Sequence, residues 1–114
     1  MTSIEKAKQY FDLSNDSDFD RIKSMFTDNS TYCSGSGELY LGVKDIIAMQ
    51  RSYHGCFKSL KWQVNNVNKI KPGIILFEFD FKGQTQEGED VGYSGFEYII
   101  IYDGIIQHID VRRK

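Results

Sequence analysis

Proline and cysteine are scarce in this chain, with one proline and two cysteines among 114 residues. The single proline leaves no room for a proline-rich linker or an extended recognition segment. Cys33 and Cys56 fit neither a zinc-ligand spacing nor a CxxC pair, so they read as reduced thiols used as small apolar side chains. Charge of one sign is also missing. Fourteen basic residues stand against sixteen acidic ones, for a net charge of -2. A nucleic-acid-binding surface normally carries a basic excess, so no nucleic-acid partner is expected. No apolar run approaches the ~18–20 residues of a membrane span, and no membrane partner is expected. The opening MTSIEKAKQY lacks the apolar stretch of a secretory signal, which points to the cytoplasm. Repeats and low-complexity segments are absent too, and residues 1–114 read as one domain.

Aromatic residues, by contrast, are plentiful at 14%. Large rings in a chain of this length suit a sheet-rich domain with a real core. In SIEKAKQYFDL, Ile4, Ala7, Tyr10 and Phe11 fall on one helical side, and Ser3 is placed to cap the helix over 3–13. SNDSD at 14–18 breaks it. Ser17 or Asp18 then caps a short second helix whose inner side is Phe19, Ile22, Met25 and Phe26. A short strand is predicted near 30–34. GSGELYLG at 35–42 lacks the lysine and context of a phosphate loop and reads as a plain loop. A third helix over 43–53 turns Val43, Ile46, Ile47 and Gln50 inward, with Gly55 as its stop and His54 as a helix-dipole partner or an exposed residue.

After residue 58 the period becomes two. Leu60, Trp62 and Val64 form one side of a strand, and Ile75, Phe77, Phe79 and Phe81 one side of the next, across a KPG turn. GQTQEGED is a polar connection. The predicted order is α-α-β-α-β-β-β-β, an α+β fold with its helices packed on one face of an antiparallel sheet. The expected inner set is Ile4, Phe11, Trp62, Phe77, Phe79, Ile99 and Ile101.

The final segment, FEYIIIYDGIIQHIDV, carries the sharpest signal. Asp-Gly between two β-branched and aromatic runs marks a two-residue hairpin turn. With uninterrupted pairing Ile99 faces His108 and Glu97 faces Asp110. One side then carries Glu97, Ile99, Ile101, Ile106, His108 and Asp110, and the other Tyr98, Ile100, Ile109 and Val111 among its residues. Periodicity alone favours the second, wholly apolar side as the inside. Yet a strand that is apolar on both sides, such as FEYIII, is usually covered on both.

Three stretches resemble the nuclear transport factor 2-like superfamily, in particular its SnoaL-like and ketosteroid-isomerase-like members. They are AKQYFDLSNDSDFDRIKSMFTDNSTY, GVKDIIAM and the YDGIIQHIDV ending. The resemblance implies a cystatin-like cone, a curved sheet wrapped around the first helix with a pocket at one end. It also implies a homodimer through the outer sheet face, expected at Tyr98, Ile100, Ile109 and Val111. Residue by residue, Tyr10 and Glu97 fall where the steroid isomerases hold their oxyanion donors. Asp110 falls at the acid/base aspartate of the cyclases, with His108 as its neighbour. Ser34 falls at the isomerases' base carboxylate. Serine cannot act as that base at neutral pH, so steroid isomerisation itself is not implied.

The resulting expectation is a pocket for an apolar or aromatic small molecule, lined by Trp62, Phe77, Phe79, Ile99, Tyr32 and Ser34. Catalysis would be cofactor-independent acid–base chemistry (isomerisation, cyclisation or dehydration) by Asp110, His108, Tyr10 and Glu97. No metal is expected, because ligands on one flat sheet face rarely enclose an ion. A non-catalytic dimeric module, binding a ligand or a protein, is the other reading these residues allow.

Overall fold

The computed structural model describes residues 1–114. Helix α1 spans Ser3–Asn15 and is opened by Thr2, not by Ser3. The Thr2 hydroxyl accepts from the Glu5 amide at 3.1 Å while the Glu5 carboxylate accepts from the Thr2 amide at 2.9 Å. This reciprocal cap satisfies two amide donors at the helix start. Asp18 then caps the short α2, Phe19–Lys23. Strand β1 is Thr31–Cys33 and α3 is Val43–His54, ending at Gly55 as the sequence predicts. The segment read as a plain loop holds one more strand, β2, Leu39–Leu41, which pairs antiparallel with β1. Four longer strands follow: β3 Phe57–Lys71, β4 Ile74–Thr85, β5 Asp90–Tyr102 and β6 Ile105–Arg113.

The strands form one sheet in the order β2-β1-β6-β5-β4-β3. Every neighbouring pair is antiparallel except β1 and β6. The sheet is curved and unclosed, and the three helices lie in its hollow. Irregular pairing between β3 and β4 contributes to the bend, since each extra residue kinks the strand that carries it. On the concave side Ile75, Phe77, Phe79, Phe81, Ile99 and Ile101 are buried, as alternation predicts. Phe11 of α1 lies on Phe77 with ring centroids 4.6 Å apart. Each such fully buried apolar side chain contributes roughly 1.5–3 kcal/mol. Ile4 and Trp62 also pack on this core but are only partly buried.

The hairpin turn forms as expected, with Asp103 and Gly104 both at positive φ. The pairs Tyr102–Ile105 and Ile101–Ile106 follow from it. There the uninterrupted register ends. Gln107 is an extra residue in β6, so His108 pairs with Ile100, Ile109 with Ile99, Asp110 with Tyr98 and Val111 with Glu97. A shift of one residue exchanges the faces of everything beyond it. His108 and Asp110 therefore lie on the convex side, not beside Glu97. Ile109, expected outside, is fully buried, and Val111 also turns inward.

The cause is visible in the neighbouring segment. The Ile106 amide donates to the Met25 carbonyl at 2.9 Å, and its carbonyl accepts from the buried Ser30 hydroxyl at 2.6 Å. Beyond this fixed residue β1 pairs in parallel with residues 108–110. Deleting Gln107 would drive a histidine and a carboxylate into the hollow and is expected to cost more than about 3 kcal/mol. Gln107→Ala, which keeps the register, should cost less than about 1 kcal/mol. Urea unfolding of the two variants separates these outcomes, and equal losses would show that the extra residue does not set the faces.

Candidate functional site

Between α1, α3, the β1–β2 hairpin and the concave sheet lies a cavity of about 540 Å³. Its walls are mostly aromatic, with Tyr10 and Phe11 from α1, Tyr53 from α3, Trp62 from β3, Phe79 from β4 and Tyr93 from β5. Trp62 is fixed by Asn15, whose side-chain amide donates to the Trp62 carbonyl at 3.1 Å and accepts from its amide at 2.8 Å. The end of α1 is thereby stitched to the sheet.

At the inner end sit Tyr10, Gln50 and Glu97. The Gln50 amide donates to the Tyr10 hydroxyl at 2.7 Å, which leaves the phenol proton free to donate elsewhere. The Gln50 carbonyl oxygen and Glu97 Oε2 are buried without a hydrogen-bond partner. Burial pushes the Glu97 carboxyl up to about 8, so it is a neutral acid at pH 7. Burial, with Glu97 nearby, also raises the Tyr10 phenol. Tyr32 rises for the same reason, with Tyr10 and Glu97 close by. One helical turn beyond Gln50, on the same face of α3, His54 joins the wall. Its Nδ1 lies 2.8 Å from the Ser17 hydroxyl, and its ring packs on Phe19 and Trp62. Burial lowers the imidazole to about 4, so it is a neutral base at pH 7.

Of the residues expected at the site, Tyr10, Tyr32, Ser34, Trp62, Phe79 and Glu97 line this cavity. Phe77 and Ile99 are fully buried behind it as core. His108 and Asp110 are outside. His108 Nδ1 lies 2.7 Å from the Thr31 hydroxyl, and the Asp110 carboxylate pairs with Arg112 at 3.0 Å. Sequence reasoning missed His54, Tyr53, Tyr93 and Arg113. His54 was legible in principle, because it continues the inward row of Ile46 and Gln50 at four-residue steps. No three His, Cys, Asp or Glu side chains converge as a metal site would require.

No family model matches the chain. No curated protein matches it either. Solved structures do. A candidate SnoaL-like polyketide cyclase from Shewanella denitrificans OS-217 superposes with a TM-score of 0.89 at 10% identity, covering 98% of this chain and 90% of that one. A nuclear transport factor 2-like protein of unknown function from Exiguobacterium sp. 255-15 gives 0.84 at 18% identity, covering 99% and 98%. An LEH-like epoxide hydrolase of M. tuberculosis gives 0.85 at 13% identity, covering 98% and 82%. The class is thus an α+β cone with a cavity inside its curved sheet. More narrowly, this is the nuclear transport factor 2-like fold. At such identities the likeness concerns the fold alone.

The two shifted groups set opposite pH dependences. Glu97 ionises near 4.5 in the unfolded chain but near 8 when folded. Its contribution is whole below pH 4.5 and is lost as pH rises through 8. His54, lowered from 6.5 to about 4, contributes fully above pH 6.5 and loses its contribution as pH falls through 4. Between 4.5 and 6.5 the slopes oppose each other. Glu97→Gln should remove the alkaline loss, gaining on the order of 3–5 kcal/mol relative to wild type between pH 5 and 9. Chemical denaturation at those two pH values measures it. An unchanged difference would place an ionised Glu97 in the folded protein.

Proposed function

We propose that this protein binds an apolar or aromatic small molecule in the cavity and acts on it by cofactor-independent acid–base chemistry at a carbonyl or hydroxyl group. The observation that carries this reading is the pairing of a neutral carboxylic acid with a neutral imidazole in one aromatic cavity. Two titratable groups pushed in opposite directions are what an acid and a base at pH 7 need. The unpartnered oxygens of Gln50 and Glu97 support ligand binding independently, since a bound hydroxyl would satisfy them.

In this proposal His54 is the base. Donating its Nδ1 proton to Ser17 leaves the other ring nitrogen with a free lone pair. That nitrogen takes a proton from the carbon next to a substrate carbonyl. The electron pair moves to the carbonyl oxygen, where Glu97 and Tyr10 donate hydrogen bonds or, from Glu97, the proton itself. Return of a proton to a different carbon is isomerisation; attack by the enol carbon on a second carbonyl is cyclisation. Asp110 and His108 take no part, being on the other side of the sheet. The structural likeness to a candidate polyketide cyclase is consistent with this chemistry.

The test is deuterium exchange at the α-carbon of 2-tetralone, an aromatic ketone of cavity size, followed by NMR. Wild type should exchange it faster than buffer, with a plateau between about pH 4 and 8 set by the two groups. His54→Gln should lower the rate by about 10²–10⁴. Glu97→Gln should abolish the decline above pH 8. Binding of the ketone without exchange in the wild type would favour the non-catalytic module.

We also propose that the convex face joins two copies of the chain. The row Leu76, Tyr98 and the row Ile74, Ile100 run across this face toward the exposed Leu39 and Leu41. Arg112 covers Tyr98 and Lys114 covers Phe96, so the apolar area is bounded by cations on one side. Light scattering should show a dimer for the wild type and a monomer for Ile100→Lys. A wild type that stays monomeric at high concentration would refute the pairing.

A further inference from the structure

Three consecutive cations end the chain, and alternation separates them. Arg112 and Lys114 point to the convex face, where they pair with Asp110 and Glu78. Arg113 points to the concave side and lines the cavity mouth. No carboxylate lies within 4.0 Å of its guanidinium, although the chain carries two more acidic than basic residues. The one acid lining the mouth, Glu38, instead accepts from the Tyr40 hydroxyl at 2.8 Å.

The Arg113 side chain is also held. Its guanidinium lies over the Tyr93 ring, 4.1 Å from the centroid, and its stem runs across Gly35. A β-carbon at Gly35 would come within 3.1 Å of Arg113 Cγ and 3.2 Å of Nε, so the glycine makes the space for this pose. A second glycine seats the floor. Gly95 pairs with Arg113 across the sheet, and a β-carbon there would lie 2.6 Å from the Arg112 carbonyl oxygen and 2.9 Å from Phe79 Cζ, so the glycine lets the Phe79 ring lie over the strand. The floor between mouth and inner end is therefore the Phe79 ring. From Gly95 to Glu97 is two residues along β5, about 7 Å, which is the scale of a fused aromatic ring.

We propose that the cavity selects an aromatic carboxylate, with the carboxylate on Arg113 at the mouth, the ring over Phe79, and a hydroxyl or carbonyl oxygen at Glu97 and Tyr10. This deepens the ligand-binding reading given above and rests on it. A planar guanidinium matches a carboxylate in two parallel hydrogen bonds, which a neutral ester cannot reproduce. The cavity interior offers no competing cation, because His54 is uncharged near pH 7, and no anion to repel the ligand, because Glu97 is neutral there.

The experiment compares 6-hydroxy-2-naphthoate with its methyl ester by calorimetric titration at pH 7, in the wild type, Arg113→Met and Arg112→Met. Arg113 is exposed, so its replacement leaves the core intact. The wild type should bind the acid at least about tenfold more tightly than the ester. Arg113→Met should erase that preference while leaving ester affinity within about twofold, and Arg112→Met should keep it. Equal binding of acid and ester by the wild type, or an acid preference that survives Arg113→Met, overturns the anchor while leaving the cavity reading intact. If neither compound binds the wild type, the ligand-binding reading fails and the anchor falls with it.

Discussion

The site depends on one surplus residue in one strand. Gln107 turns the rest of β6 over, so that Glu97 meets Val111 instead of Asp110. Regular pairing would have set two carboxylates opposite each other beside a histidine, in a hollow lined with isoleucine. Like charges in direct opposition destabilise a sheet, and burying them would add a large desolvation cost. The extra residue sends His108 and Asp110 to the convex side, where Thr31 and Arg112 accommodate them. It brings Ile109 and Val111 in to replace them.

A lone carboxyl behaves differently from a paired one. With no cation beside it and one oxygen without a partner, Glu97 responds to burial alone, and burial favours its neutral form. Had Arg113 or a lysine reached the inner end, the same carboxyl would be ionised and could not donate a hydrogen bond. The cavity thus keeps its acid protonated by distance: the free cation is at the mouth and the carboxyl at the far end. Gln50 adds to this, since its amide donates to Tyr10 and leaves the phenol proton as a second donor near Glu97.

Most of the fold was legible because its signals are local. Alternation identified the inward face of β4, the resemblance chose that of β5, the Asp103-Gly104 turn placed the last hairpin, and Ile46, Ile47 and Gln50 marked the buried face of α3. The loose family resemblance pointed to the cone, and the structure has that shape. The reversal within β6 was harder to see because it originates outside the strand. Ile106 is held by the Met25 carbonyl and the Ser30 hydroxyl, some eighty residues earlier in the chain. A trace was nonetheless present. Ile106, Ile109 and Val111 are spaced by three and then two, and a strand with one continuous inner face would space them evenly. Both readings of the hairpin assumed that a whole side faces in; the inner face is instead drawn from both sides. The strand β2 was missed for a different reason, as three residues flanked by glycine and dominated by exposed leucines give too short a pattern.

His54 shows why residue type at a helix end is a weak guide. At the C-terminus of α3 the macrodipole favours a charged imidazole, and an exposed histidine there would have its pKa raised. The structure resolves the competition the other way. Phe19 and Trp62 enclose the ring, Ser17 offers only a neutral hydroxyl, and desolvation outweighs the dipole to lower the pKa to about 4. The same enclosure that raises a carboxyl lowers an imidazole, because each is driven toward its uncharged form. An aromatic cavity that holds one of each therefore keeps both groups uncharged at neutral pH, with no further residue needed to tune either.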